Sequence, residues 1–143
     1  MIHPIEPLWR RVASVGWPPI VVVLAHTGLA ATIGHKPEYD PFFHFLGGVA
    51  GALALLRAHA LLPDELGRLV QRNPQQFALV GMLVIICVWE AVEFASDHLL
   101  GTHVQLGAGD TAADILLGAG GAVCAIAVSM VFEPRSPRGQ ARS

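Results

Sequence analysis

Residues 76–100 read QFALVGMLVIICVWEAVEFASDHLL, and this long apolar stretch decides the class of fold. A hydrocarbon core about 30 Å thick is crossed by about 20 helical residues, so the stretch is long enough to span a bilayer. Comparable apolar runs cover about residues 17–33, 41–62 and 109–132. The sequence therefore predicts an all-α integral membrane protein with four transmembrane helices.

The composition of the chain supports a membrane location. Of its 143 residues, 53% are hydrophobic and only 14% are charged, whereas about 25% are charged in a typical soluble domain. A chain this short buries a limited fraction of its surface, so a soluble protein could not hide so much apolar area. No dense basic stripe is interleaved with aromatic residues, which argues against nucleic-acid binding.

The basic residues are distributed unevenly between the connections of the predicted helices. Two connections, at about residues 35–40 and 100–109, contain only Lys36. The other basic residues lie before the first helix, in or beside the second connection, and in the tail: Arg10, Arg11, Arg57, Arg68, Arg72, Arg135, Arg138 and Arg142. Cytoplasmic loops carry an excess of Lys and Arg, so both termini are predicted to be cytoplasmic.

The predicted domain organisation follows from this topology. We expect a four-helix transmembrane domain over residues 1–133 and a disordered cytoplasmic tail over residues 134–143. The charged segment 62–75 predicts a short amphipathic cytoplasmic helix between the second and third transmembrane helices.

Glycines are spaced for close helix packing. The pairs Gly47 and Gly51, and Gly118 and Gly121, each put small residues on one helix face, where backbones can approach. Such glycine-rich faces also make a homo-oligomer possible.

Acidic and imidazole side chains are concentrated in the outer half of the predicted bundle. Seven residues form this group: Glu90, Glu93 and Asp97 on the third helix, Asp110 and Asp114 on the fourth, His26 on the first and His44 on the second. At 100° per residue, the three acids of the third helix share one narrow face. Ionisable groups inside a membrane are costly, usually face the bundle interior and mark function. We therefore predict that these seven side chains converge.

The predicted cluster is acidic and has no Lys or Arg at the same depth in any of the four helices. The remaining counter-charges are protons, histidinium or a bound metal. Mixed carboxylate and imidazole ligands suit Zn, Mn or Fe, and carboxylates with water suit Ca or Mg. The sequence predicts an outward-facing divalent metal site.

Other interpretations of these residues remain open. Asp110 follows Gly-Ala-Gly and is equally well placed to cap the start of the fourth helix. His26 alone fits a core histidine bonded to a backbone carbonyl. At the level of function, the alternatives are a membrane enzyme acting on a lipid or cell-envelope substrate, a proton- or cation-translocating oligomer, and an assembly subunit. Whether the protein is an enzyme is left open.

The last two predicted helices and their loop also contain a family signature. Its elements are Trp89-Glu90-Ala91-Val92-Glu93, Asp97, Gly101-Thr102, Gln105, Asp110-Thr111-Ala112-Ala113-Asp114, Gly118 and Gly121. This pattern resembles the bacterial inner-membrane family of YjdF-type proteins and is more loosely similar to the VanZ-like family. The arginine usual in the outer loop of VanZ-like proteins is missing here. The resemblance implies a multi-pass protein of the bacterial inner (cytoplasmic) membrane with the five acids as shared positions. Neither family implies a particular reaction.

Overall fold

A computed structural model describes residues 7–34, 38–62 and 64–132, and every regular element in these ranges is helical. The elements follow one another as α1 (Leu8–Ile33), α2 (Asp40–Arg57), a 3-10 turn (Ala58–Leu61), α3 (Asp64–Arg72), α4 (Pro74–Leu100) and α5 (Ala108–Phe132). The prediction of an all-α protein is thus confirmed for this part of the chain. The tail predicted over residues 134–143 lies outside the described residues.

Three of the described helices are long and apolar enough to cross a membrane. They are the segments Trp9–Ile33, Pro74–Leu100 and Ala108–Phe132. The 18-residue helix α2 is not among them, because Asp40 and Arg57 at its ends lower its mean hydropathy. The described part of the chain therefore contains three candidate spans, where the sequence predicts four.

Two helix boundaries differ from the prediction. Helix α1 begins at Leu8 rather than near Trp17, and it continues through Pro18 and Pro19. Proline removes a backbone hydrogen bond, but helices in membranes tolerate it where neighbouring groups satisfy the backbone. Helix α2 ends at Arg57, so the predicted second helix is divided into an α-helix and a 3-10 turn.

Helix α3 is the short helix predicted between the second and third long helices. Val70 is buried on one of its faces, whereas Arg68 and Gln71 are exposed. This division between a buried apolar face and an exposed polar face is the pattern of an amphipathic surface helix.

Helix α2 occupies the centre of the bundle. It packs against α1, α4 and α5, and α4 also packs against α5. Contacts between α2 and α5 follow the same residue order along both helices, so these two helices are parallel. The order is reversed between α2 and α4, so α4 is antiparallel to α2. The buried core lies among these three helices and is built from small and flexible side chains, including Ala52, Ala78, Met82, Ile86 and Ala122.

The α2–α5 contact depends on glycine. A Cβ atom at Gly48 would lie 2.0 Å from the carbonyl oxygen of Gly118, and a Cβ atom at Gly121 would lie 2.1 Å from that of Phe45. Only a hydrogen atom fits at these positions, so the two backbones approach as closely as small residues allow. The close packing predicted for Gly118 and Gly121 is confirmed.

The predicted glycine pair on α2 has a different role at each position. A Cβ atom at Gly51 would meet Met82 Sδ at 2.5 Å, so this glycine also serves packing. At Gly47 a Cβ atom would meet nothing within 4 Å. Gly47 therefore faces open space rather than another helix.

We expect Gly48→Ala to destabilise the bundle, because the added methyl group would overlap the backbone of α5. Overpacking a tight interior usually costs about 1–3 kcal/mol. The matched control is Gly120→Ala on α5, where a Cβ atom meets nothing within 4 Å and where alanine favours the helix. Thermal unfolding in detergent compares the two variants, and equal melting temperatures would contradict the close approach.

Candidate functional site

The imidazole of His44 lies at the centre of a buried acidic cluster. Its Nε2 atom is 3.7 Å from Asp40 Oδ1 and 3.8 Å from Asp114 Oδ2, and its Nδ1 atom is 3.7 Å from Glu90 Oε1. The three acids are at most 5% exposed. Both ring nitrogens of His44 therefore face carboxylates, which come from α2, α4 and α5.

Asp40 connects this cluster to α1. The Nε2 atom of His26 lies 3.2 Å from Asp40 Oδ1, and the His26 ring packs against Phe43 with ring centroids 4.9 Å apart. Asp40 is the first residue of α2, one turn before His44, so the two side chains share a helix face. The sequence pattern predicts a loop at Asp40, which is not among the seven predicted site residues. Its spacing of four residues from His44 was the available signal.

Two groups of three residues have ligand atoms close enough for a metal ion. Asp40, His44 and Asp114 form one group, and His44, Glu90 and Glu93 form the other. Within each group, one nitrogen or oxygen atom per residue lies within 4.8 Å of the others. His44 belongs to both groups, so a single imidazole connects them.

Two neutral donors position the glutamates. Trp89 Nε1 donates a hydrogen bond to Glu93 Oε1 at 2.9 Å. Gln105 Nε2 donates to the backbone oxygen of Glu90 at 3.1 Å and to its Oε2 atom at 3.3 Å. The buried Oε1 atom of Glu90 has no hydrogen-bond partner within the described ranges. The sequence analysis gives Trp89 and Gln105 no place in the site, although Trp89 stands one helical turn before Glu93.

Asp97 holds the loop between α4 and α5 rather than joining the cluster. Its Oδ1 atom accepts hydrogen bonds from Thr102 Oγ1 at 2.6 Å and from the backbone N–H of Val104 at 2.9 Å. Its Oδ2 atom accepts one from the backbone N–H of Gln105 at 2.9 Å. A single carboxylate therefore fixes the loop that carries the Gln105 side chain to Glu90.

Asp110 also binds the loop. Its Oδ2 atom accepts a hydrogen bond from the backbone N–H of Leu106 at 2.9 Å, so it closes the start of α5. Of the seven predicted site residues, five are brought together and two serve the loop in this structure. The metal-binding role predicted for Asp97 and Asp110 stays a prediction.

The charge balance of the cluster is strongly acidic. Four carboxylates, those of Asp40, Glu90, Glu93 and Asp114, surround two imidazoles. The sequence contains no Lys or Arg between Arg72 and Arg135, so neither α4 nor α5 supplies a permanent positive charge. Burying several carboxylates without compensation is costly, so the cluster requires protons or a cation.

Fold and cluster together define a helical membrane protein with a buried carboxylate–imidazole cluster. Residues 18–135 match the profile of the family described as "Predicted membrane protein (DUF2238)", and the chain belongs to this family. The match confirms the prediction of a membrane-protein family, whereas the resemblance to YjdF-type and VanZ-like proteins stays a prediction. Neither the curated proteins nor the solved structures gave a match.

We expect Asp97→Ala to release the α4–α5 loop, because three donors lose their common acceptor. Amide hydrogen exchange at Val104 and Gln105 should approach that of exposed amides, while Leu106 keeps its protection. In the matched variant Asp110→Ala the pattern should reverse. Unchanged exchange at Val104 and Gln105 in Asp97→Ala would contradict this role.

Proposed function

We propose that this protein is a small multi-pass membrane protein whose buried cluster binds a divalent metal ion. The observation that carries this proposal is the His44 imidazole, which faces carboxylates from three helices. A second observation is the buried Glu90 Oε1 atom, which has no hydrogen-bond partner within the described ranges. Such an atom is costly to bury unless a cation lies nearby.

The donor set limits the choice of metal. Imidazole suits Zn and Fe, and carboxylates suit Mn and Ca. Because calcium sites are built from oxygen atoms, the shared imidazole favours Zn, Mn or Fe over Ca. Either group of three residues, or both through the common His44, would hold the ion.

Neighbouring side chains fit the role of outer partners. Metal ligands are usually held by further hydrogen bonds, whose loss weakens metal binding about 10–100-fold. Trp89 and Gln105 already donate to Glu93 and Glu90. His26, beside Asp40, would stabilise that carboxylate in the same way.

We further propose that α2 is the fourth transmembrane helix, with both termini in the cytoplasm of a bacterial inner membrane. Helix α2 packs among α1, α4 and α5, and its 18 residues extend about 27 Å at 1.5 Å per residue. Asp40 and Arg57 would then lie near the two interfaces. The arginine distribution supports the orientation, which puts the cluster near the outer surface. Gly48 and Gly121 are already used in the contact between α2 and α5, so a homo-oligomer would need other surfaces.

The metal proposal predicts a divalent ion in detergent-purified wild-type protein. It should be lost in Glu90→Gln and Glu93→Gln if the group with His44, Glu90 and Glu93 holds it, or in Asp114→Asn if the group with Asp40, His44 and Asp114 holds it. These substitutions remove a charged ligand at almost constant size. The matched control is Glu38→Gln, because Glu38 is exposed and lies outside the cluster. Elemental analysis gives the metal content. Added metal at about 100 times its Kd should also stabilise the wild type by about 2.7 kcal/mol.

A wild-type protein without metal, not stabilised by added Zn²⁺, Mn²⁺, Fe²⁺ or Ca²⁺, would contradict the metal proposal. Equal metal contents in Glu90→Gln, Glu93→Gln, Asp114→Asn and wild type would show that any bound ion lies elsewhere.

The topology proposal predicts that reporters at two positions report opposite compartments. A fluorescent reporter that matures only in the cytoplasm should be active after residue 143. A phosphatase active only outside the cytoplasm should be active when inserted after His103, in the α4–α5 loop. Expression levels measured by immunoblot serve as the control. The fluorescent reporter placed before residue 1 should also be active, because four spans return the chain to its starting side and three do not. An inactive fluorescent reporter at either end of the chain, or an inactive phosphatase after His103, would contradict four spans in this orientation.

A further inference from the structure

A long, narrow cleft lies between α1, α2 and α4 and begins at the cluster. Its volume is about 280 Å³. His26 and His44 line one end, and Val15 and Ala58 line the other. Between His44 and Ala58, helix α2 extends about 21 Å at 1.5 Å per residue. A cavity that is about 21 Å long but has a volume of only about 280 Å³ is narrow.

The side of the cleft opposite α2 is not closed by another described helix. Helix α1 contacts α2 and the 3-10 turn, but within the described ranges none of its Cα atoms lies within 8 Å of a Cα atom of α4 or α5. The floor consists of small residues of α2, Gly47, Gly51 and Ala54, and the walls include Val22 of α1 and Ile85 of α4. Because α1 and α4 are both candidate membrane spans, the open side faces the hydrocarbon of the bilayer.

We propose that this cleft binds the hydrocarbon chain of a single-chain lipid, whose head group carries hydrogen-bond donors and lies at His26 and His44. The thin shape fits one extended chain better than a compact ligand. The lining is apolar along the whole length beyond the two histidines, so a hydrocarbon chain gains contacts where α1 and α4 do not meet.

The cluster selects the chemistry of the head group. It contains four carboxylates, and Glu90 Oε1 has no hydrogen-bond partner within the described ranges. A hydroxyl or ammonium group supplies donors to such a site. Without a bound metal, a carboxylate or phosphate would add another anion to a buried acidic cluster, so competition by the fatty acid is measured in the presence of a metal chelator. The inference goes beyond metal binding, because the cleft itself requires no ion.

The test uses a monoacylglycerol with a diazirine near the end of its chain, in phosphatidylcholine vesicles that contain the full-length protein. After irradiation, we expect the label on residues at the far end of the cleft, such as Val15 and Ala58. Excess unlabelled monoacylglycerol or long-chain amine should remove this labelling, whereas a fatty acid of equal chain length at pH 8 should not. Labelling should persist with a metal chelator, so the outcome is separate from that of the metal proposal.

Gly47→Leu is the variant that fills the cleft. A Cβ atom at Gly47 meets nothing within 4 Å and Gly47 lines the cleft, so a leucine side chain begins in open space inside the cavity. We expect labelling of the cleft to fall to the level seen with excess competitor. The matched control is Gly120→Leu, which also has open space around its Cβ atom but lies outside the cleft. If Gly47→Leu does not fold, Ala54→Leu provides the same comparison.

Three results would overturn the inference. The first is label spread over the exposed surfaces of α4 and α5 and unchanged in Gly47→Leu. The second is a wild-type cleft that stays unlabelled because a second copy of the chain fills it, shown by an oligomer that Gly47→Leu dissociates. The third is equal competition by the fatty acid, which would refute the donor-bearing head group.

Discussion

The close approach of α2 and α5 is the constraint on which the rest of the structure depends. At Gly48 and Gly121 a methyl group would overlap a backbone carbonyl, so only glycine allows the two backbones to approach this closely. Because the helices are parallel, one turn toward the N-terminus of each helix brings His44 beside Asp114. Asp40 then follows one turn further along the same face. Helix α4 packs against both helices and contributes the two glutamates, so the cluster is a consequence of the glycine contact.

Local rules were sufficient to predict part of this site. Helical periodicity and the cost of exposing charge to lipid place Glu90, Glu93 and Asp114 toward the interior. Asp40 was missed because the second helix was assumed to begin at Pro41, and an error of one residue moves it from a helix to a loop. Proline is favoured in the first helical turn, and this preference would have placed Asp40 at the start of α2.

The acids of the α4–α5 loop illustrate what periodicity cannot predict. Asp97 shares a helix face with Glu90, yet its carboxylate accepts hydrogen bonds from backbone groups that approach only after the chain has reversed direction. Asp110 is satisfied in the same manner. The number of candidate spans depends on the two charged residues at the ends of α2, because they lower its mean hydropathy. They do not change its central position in the bundle.

The polar residues of α2 and α5 are concentrated at one end of the bundle. This is the pattern of a site near one membrane surface rather than of a conduit across the membrane. Beyond the cluster, residues 45–56 contain no ionisable side chain, and residues 115–132 contain only Cys124. A relay for protons or cations requires polar groups along its path, and over that distance these two helices provide only Cys124 and Ser129. The path away from the cluster is instead the apolar cleft lined by Gly47 and Gly51. If both proposals hold, the cluster is the place where a bound metal ion meets the head group of a single-chain lipid.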